Sequence, residues 1–255
     1  MEESFLDVRG TRVQLLADGD GPPLLFLHGA GGGAWTPGLA RLAERFRVYA
    51  PNHPGFGQSD ERPEWDRVED YVYYYLDFLD ALALDRVHLV GASLGGWMAA
   101  EIAVGHCHRL RTLVLLDAAG LWLDEAPMAD LFLRPPEELT QLMWHDPSRA
   151  PAPPPPTPEA MLAQAKANTT VARLAWKPYF HNPKLPGRLA RITVPTLILW
   201  GESDRLIPLP HGRRYQELIP GAELQVIPEC GHIILREQPE RGTAAIAEFI
   251  ARHES

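Results

Sequence analysis

Six short apolar runs, separated by stretches of helical pattern, constrain the fold of this chain more than any other feature. Each run has four or five residues with little polar alternation. A strand that is apolar on both faces is typical of a parallel sheet covered by helices on both sides. Because the runs alternate with helical stretches, they predict βαβ units and an α/β fold with a mostly parallel sheet. The runs are 24–27, 47–50, 87–90, 113–116, 196–200 and 224–227.

The remaining elements follow from local patterns. Residues 5–8 and 12–16 alternate polar and apolar around Arg9-Gly10-Thr11, which predicts an N-terminal β-hairpin. Apolar residues at helical spacing predict five helices between and after the strands. These helices cover 39–46, 68–84, 94–105, 212–218 and 243–251.

The regular alternation stops between residues 120 and 188. That segment contains no strand pattern and is rich in proline, including the run 151–158, which must be extended because proline fixes φ and removes amide donors. A linker between domains is the alternative, but too few elements follow it to build a second α/β domain. We therefore predict a core of residues 1–119 and 189–255, with 120–188 inserted as a mostly helical cap and the proline run as a stiff strap on it.

Composition excludes several classes of protein. The 255 residues carry 33 Asp and Glu against 24 Lys and Arg, and a formal net charge of −9 argues against nucleic-acid and anionic-membrane partners. No apolar run approaches the roughly 18–20 residues that a membrane span needs. The acidic start is unlike a signal peptide, and two cysteines make no disulfide scaffold. We expect a cytoplasmic enzyme or binding protein, and the sequence does not predict its oligomeric state.

The strongest chemical signal is Val90-Gly91-Ala92-Ser93-Leu94-Gly95-Gly96, which follows one strand and opens a helix. A G-x-S-x-G sequence in this context is a nucleophile elbow, a turn so tight that its central serine is strained and exposed at the sheet edge. Glycines flank the serine because side chains there would collide with neighbouring backbone. The pattern predicts that Ser93 is a nucleophile, although a serine beside a helix start also occurs without chemistry.

A serine nucleophile needs a base, and the base needs an orienting acid. His232 follows the last strand within Cys230-Gly231-His232, and Asp204 follows the strand before it. The chain order Ser93, Asp204, His232 is the order of the α/β-hydrolase triad. Asp117 also ends a strand, so it stays open as the alternative acid.

The loop His28-Gly29-Ala30-Gly31-Gly32-Gly33 follows the first apolar run. We predict an oxyanion hole made by the backbone N–H groups of Ala30 and of Leu94, the residue after the nucleophile. A phosphate-binding loop is the alternative for so many glycines. It is disfavoured because neither G-x-G-x-x-G at a helix start nor G-K-[ST] is present.

Together these motifs resemble the α/β-hydrolase superfamily over nearly the whole chain. The matching pieces are 28–31, Asn52-His53-Pro54-Gly55-Phe56-Gly57-Gln58-Ser59, 91–96, 201–204 and 231–232. The chain is similar to small bacterial carboxylesterases and to carbon–carbon bond hydrolases of aromatic ring-fission products. The resemblance implies a cap between the sixth and seventh strands, a structural role for His53 beneath the site, and a brace for the oxyanion loop at His28.

The predicted function is a serine hydrolase that cleaves a carboxylic ester of a small uncharged acyl or aromatic substrate. No cofactor and no metal are expected, since Ser93 has a base of its own. The predicted substrate contacts are Trp35, Phe132, Trp144 and Ile233. Carbon–carbon bond hydrolysis and a slowly hydrolysing ligand receptor remain alternatives. Cations of the cap would grip the carboxylate of a ring-fission product, and the candidates are Arg134, Lys166, Arg173 and Lys177.

Overall fold

A computed structural model describes residues 1–152, 155 and 157–254. One sheet of eight strands forms its centre, in the spatial order β1-β2-β4-β3-β5-β6-β7-β8. The strands are β1 (Glu2–Val8), β2 (Thr11–Asp18), β3 (Pro23–Leu27), β4 (Arg47–Pro51), β5 (Val87–Ala92), β6 (Leu110–Leu116), β7 (Thr196–Gly201) and β8 (Glu223–Ile227).

Strand pairing confirms a mostly parallel sheet with an N-terminal hairpin. β1 pairs antiparallel with β2 through a turn in which Arg9 and Gly10 have φ of 50° and 80°. β2 pairs antiparallel with β4, and the pairs from β4 and β3 across to β8 are parallel. The carboxyl ends of β3, β5, β6, β7 and β8 therefore meet at one edge of the sheet.

The helices are α1 (Pro37–Ala43), α2 (Val68–Ala81), α3 (Leu94–His106), α4 (Pro136–Met143), α5 (Pro158–Ala175), α6 (Pro210–Leu218), α7 (Ile234–Glu237) and α8 (Pro239–His253). Several predicted helix boundaries were wrong: α1 begins two residues and ends three residues earlier than predicted, and α6 begins two residues earlier. α2 ends before residue 84 because Ala83 has a left-handed φ of 53°. α8 begins at Pro239, four residues before the predicted start, because proline suits the first turn of a helix. Within the described ranges no helix has both the length and the apolar character to cross a bilayer.

Both faces of the sheet are buried, as apolar strands without alternation predict. Successive residues of β3 point to opposite sides, so Leu25 and Leu27 join the core beneath α2 and α3. Leu24 and Phe26 join the core beneath α1 and α8. Burial of apolar side chains on both sides stabilises the sheet by about 25 cal/mol per Å² removed from water.

The chain leaves the sheet after β6 and returns at β7. Between them the described residues form α4, α5 and short turns but no strand, and only an isolated bridge joins Gly120 to His181. We call residues 117–195 the β6–β7 segment. The predicted strap at 151–158 lies partly outside the described residues. The division into core and cap stays a prediction.

Gly201 ends β7 against the loop that follows β8. A Cβ atom at this position would lie 2.0 Å from the carbonyl oxygen of Gly231 and 2.7 Å from that of Cys230. Both neighbours are backbone atoms, which cannot rotate away. The close approach of the two loops therefore requires glycine here.

We predict that Gly201→Ala lowers the free energy of unfolding by about 2 kcal/mol or more, because the added methyl group overpacks a rigid contact. The matched control is Gly105→Ala in α3, where no atom lies within 4 Å of the added Cβ. That substitution should stabilise the protein by about 0.5–1 kcal/mol, since alanine is the better helix former. Chemical denaturation measures both values, and equal effects would contradict the packing argument.

Candidate active site

Ser93 lies on the turn between β5 and α3. Its φ of 54° and ψ of −117° place a residue other than glycine in a strained conformation. The strain is held by the backbone, because the Ser93 N–H donates to the Leu116 carbonyl at 2.9 Å and its carbonyl accepts from Trp97 and Ala119. Strain of this kind concentrates at functional sites. The turn has the geometry that the elbow motif predicts.

Glycines allow this turn, because a side chain at these positions would collide with the backbone. A Cβ atom at Gly91 would lie 2.3 Å from the Gly95 carbonyl oxygen, and one at Gly95 would lie 2.2 Å from the Leu27 carbonyl oxygen. Gly29, in the loop after β3, is close enough that an added Cβ would lie 3.0 Å from the Ser93 Cβ and 3.6 Å from its Oγ. The loop after β3 is thus packed directly against the Ser93 side chain.

The two predicted oxyanion donors lie in these same backbone segments. Leu94 is the first residue of α3, where N–H groups have no acceptor within the helix. In the described part of the chain, no acceptor takes the backbone N–H of either Ala30 or Leu94. Both groups are therefore available to a bound oxygen.

A pair of buried histidines braces the loop after β3. The His53 backbone N–H donates to His28 Nε2 at 3.0 Å, so His28 Nδ1 carries the proton and donates to the Gly29 carbonyl at 2.7 Å. His53 Nε2 lies 2.8 Å from the His28 carbonyl, and its Nδ1 contacts the Tyr75 hydroxyl. Burial lowers the pKa of His28 to about 4, so the ring stays neutral and keeps this pattern. Both side chains support the loop from beneath.

His232 and Asp204 form a buried pair. His232 Nδ1 and Asp204 Oδ2 are 2.8 Å apart, and Asp204 Oδ1 accepts the backbone N–H groups of Leu206 and Ile207 at 2.8 and 2.9 Å. Three donors orient this carboxylate. If Nδ1 carries the proton that it donates to Asp204, Nε2 is left as an acceptor. Among the described residues, Ser93 Oγ makes no hydrogen bond. The hydrogen bond between a nucleophile and its base often tightens only when substrate binds.

Asp117, the alternative acid, does not take this position. Its Oδ1 accepts the Gly201 N–H at 2.8 Å, and its Oδ2 is buried without a hydrogen-bond partner among the described residues. Burial, and then the negative charge of Asp204, raises the pKa of Asp117 well above its usual range. The structure thus joins Asp204, and not Asp117, to His232.

Asp117, Asp204 and His232 are also the group of side chains that could approach a metal ion. One donor atom from each lies within 4.8 Å of the others. However, the Asp204 oxygens already accept two N–H groups and the imidazole. A cation would have to displace those bonds, so the arrangement suits a hydrogen-bonded acid and base better than a metal centre.

The β6–β7 segment is bonded directly to the loop that carries His232. The His232 backbone N–H donates to the Met143 carbonyl at 2.7 Å. The buried Glu237 carboxylate of α7 accepts the Gly231 N–H at 2.7 Å and the His145 N–H at 2.9 Å, with a longer contact from Asp146. One carboxylate therefore holds the two stretches of chain together.

The four predicted substrate contacts fall in different surroundings. Trp144 and Ile233 are half-buried and directly follow Met143 and His232, whose backbones are bonded to each other. Phe132 packs in an aromatic cluster, with ring centroids 5.2 Å from Trp176 and 6.1 Å from Phe180. Trp35 packs against the core beneath α1 and α8. Their contact with substrate stays a prediction.

Sequence reasoning missed Glu237. A glutamate five residues after His232 and beside the apolar pair Ile234-Leu235 resembles any solvent-exposed helical charge. Its partners His145 and Asp146 lie about 90 residues earlier in the chain, so no local pattern predicts those two contacts. The one available signal was an acidic residue in the first turn after the predicted base.

Comparisons with known proteins agree with this architecture. The model of the "Alpha/beta hydrolase family" matches residues 24–246. A 2-hydroxy-6-oxo-2,4-heptadienoate hydrolase of Pseudomonas putida is 31% identical, over 95% of this chain and 94% of its own. A 2-hydroxy-6-oxo-6-(2'-aminophenyl)hexa-2,4-dienoic acid hydrolase of Metapseudomonas resinovorans is 27% identical, over 98% and 91%.

Among solved structures, a membrane phospholipase A described as a bacterial virulence factor superposes with a TM-score of 0.85 at 27% identity. The match covers 100% of this chain and 87% of that one. The family model spans most of the chain, including the loop after β3, the Ser93 turn, Asp204 and His232. The resemblance predicted from the motifs is confirmed, and the chain belongs to the alpha/beta hydrolase family.

Proposed function

We propose that this hydrolase cleaves carboxylic esters with Ser93 as nucleophile, His232 as general base and Asp204 as orienting acid. The observation that carries the proposal is the buried hydrogen bond between Asp204 Oδ2 and His232 Nδ1, at the same sheet edge as the strained Ser93 turn. An acid, a base and a half-buried serine hydroxyl at one sheet edge are the parts that acyl transfer through serine needs.

Each proton transfer follows from the hydrogen bonds. With Nδ1 bonded to Asp204, His232 Nε2 accepts the Ser93 hydroxyl proton while Oγ bonds to the ester carbonyl carbon. The carbonyl oxygen becomes an oxyanion, which the Ala30 and Leu94 N–H groups stabilise. His232 then protonates the departing alcohol, the ester C–O bond breaks and an acyl-enzyme forms. Water activated by His232 releases the acid and restores Ser93.

The β6–β7 segment is proposed to cap the site and to select an uncharged substrate. Three of its cations are already engaged: Lys166 Nζ donates to the Ser59 carbonyl at 2.9 Å, Arg173 donates to the Arg62 carbonyl at 3.1 Å, and Arg134 pairs with Glu138. Apolar side chains would then contact the acyl or alcohol portion. The proposed contacts are Trp35, Phe132, Trp144 and Ile233.

Carbon–carbon bond hydrolysis is the second candidate. It is favoured by the two curated relatives, whose names describe hydrolases of dienoic acids. A dienoate carries a carboxylate, which a protein recognises best with a cation in bidentate or charge-assisted contact. Lys166, Arg173 and Arg134 are bound to protein groups, and Lys177, the fourth predicted cation, is exposed. Three of the four candidates are therefore already engaged, which favours ester cleavage.

The test compares p-nitrophenyl esters of increasing acyl length with a 2-hydroxy-6-oxo-dienoate substrate, using the wild type and Ser93→Ala. We expect ester cleavage with the higher kcat/KM, and loss of about 10³-fold or more in kcat for Ser93→Ala, because only binding and oxyanion stabilisation remain. Steady-state kinetics on folded protein measures both.

Ser148→Ala is the matched control, since Ser148 is exposed in the β6–β7 segment and should leave kcat near the wild-type value. Ester activity that survives Ser93→Ala would contradict the nucleophile. Cleavage of the dienoate alone, lost in Ser93→Ala, would replace the ester proposal with the second candidate.

Glu237→Gln tests whether the contact between the β6–β7 segment and the His232 loop matters for catalysis. Glutamine offers one acceptor oxygen and turns an NH2 group toward backbone donors, so the His232 loop should shift. We expect kcat/KM to fall by about ten- to 100-fold, the scale of small misplacements of a catalytic group, together with a lower Tm. Kinetics and thermal unfolding provide the measurements.

Glu240→Gln is its control, because Glu240 is an exposed residue of α8 paired with Arg41 at the surface. Surface pairs contribute about 0–1 kcal/mol, so this variant should behave nearly as the wild type. If Glu237→Gln and Glu240→Gln are indistinguishable in both measurements, Glu237 does not hold the loop.

A further inference from the structure

A second buried carboxyl group lies behind the acid and base. Asp117 is 1% exposed at the carboxyl end of β6, and one of its oxygens lies within 4.8 Å of a donor atom of both Asp204 and His232. The ester mechanism gives it no role. Its Oδ2 is enclosed without a partner among the described residues, an arrangement that is rare for a buried polar atom.

Two carboxylates this close cannot both stay ionised at low energy. Asp204 accepts two backbone N–H groups and the imidazole, each of which stabilises a negative charge. Asp117 accepts only the Gly201 N–H. The proton therefore resides on Asp117.

The surroundings of Asp117 agree with this assignment. The described titratable groups beside it include Asp204, His232 and the buried thiol of Cys230. Burial comes first and the charge of Asp204 second in raising that pKa. A neutral carboxyl has one O–H to donate, and the unpartnered Oδ2 is the atom left to carry it.

We propose that Asp117 is a positioning residue whose neutral carboxyl donates a hydrogen bond from Oδ2 to the Asp204 carboxylate. It would tie the end of β6 to the acid while its Oδ1 ties β6 to β7 through Gly201. The inference rests on Asp204 being the acid of the proposed triad. It adds a fourth member that touches neither the substrate nor Ser93.

Donation from Asp117 has two consequences for the acid. It places a third kind of donor on Asp204, so the carboxylate has less freedom to turn away from His232. It also withdraws part of the negative charge that the imidazole experiences. Since Asp117 acts through Asp204, its loss should alter the rate and the titration of His232 without abolishing either.

Asp117→Asn and Asp117→Ala separate a neutral donor from an ionised acid. The amide of asparagine donates to Asp204 through its NH2 group and accepts from Gly201 through its oxygen. It therefore keeps both hydrogen bonds of a protonated carboxyl group. Alanine removes both bonds. The first readout is the NMR titration midpoint of the His232 ring in the free enzyme, which requires no substrate, and the second is kcat on the best ester.

We expect the midpoint in Asp117→Asn to stay within about 0.3 pH units of the wild type, because no charge has been removed. The kcat of Asp117→Asn should fall less than about threefold, whereas that of Asp117→Ala should fall about tenfold, the scale of one lost hydrogen bond. Rescue by asparagine is the signature of donation.

If Asp117 were ionised, the His232 titration midpoint would change in Asp117→Asn. Its replacement by asparagine would remove a negative charge beside the imidazolium and lower the His232 midpoint by about one pH unit or more, which would overturn the proposal. An Asp117→Ala variant with wild-type kcat would overturn it as well. If Asp117→Ala fails to fold, the Asp117→Asn titration still decides, and it does so whichever substrate the enzyme hydrolyses.

Discussion

The site depends on a contact between backbones that only glycine permits. Where β5 turns into α3, a Cβ atom at Gly95 would lie 2.2 Å from the Leu27 carbonyl oxygen at the end of β3, and one at Gly91 would lie 2.3 Å from the Gly95 carbonyl oxygen. That contact forces Ser93 into its strained φ and brings it against Gly29. The hydroxyl, the free N–H of Leu94 and the loop of Ala30 are thereby gathered at one point. The positions of the proposed nucleophile and oxyanion donors thus follow from one packing constraint.

The other half of the site is organised by buried carboxyl groups with amide partners. Asp204 accepts two backbone N–H groups besides His232, Asp117 accepts one, and Glu237 accepts those of Gly231 and His145. Buried charges are tolerated when hydrogen bonds replace the lost water. These bonds fix the loops after β6, β7 and β8 relative to one another, and they attach the β6–β7 segment to His232. The position of His232, the proposed base, is therefore coupled to the position of the β6–β7 segment.

Much of this arrangement could be predicted because its signals are local. Short stretches of sequence carry the apolar strands, the elbow motif and the strand-end positions of Asp204 and His232. The fold class and the pairing of Asp204 with His232 could therefore be predicted from them. Asp117 and Asp204 could not be separated by pattern, since both follow strands and only the bond to Nδ1 distinguishes them. The role of Glu237 in holding the β6–β7 segment could not be predicted, because His145 is distant in the chain. The end of α2 was not predicted, because it is set by the left-handed backbone conformation of one residue, Ala83.

Activation of Ser93 by the Asp204–His232 pair is the step on which the proposed chemistry depends. Reaction with a fluorophosphonate, followed by intact mass and peptide mapping, tests it most directly because no knowledge of the natural substrate is needed. We expect a single adduct on Ser93 and a reaction slower by about 10³-fold in His232→Ala, since the hydroxyl then has no base. An adduct on another residue, or equal rates in the two proteins, would contradict it.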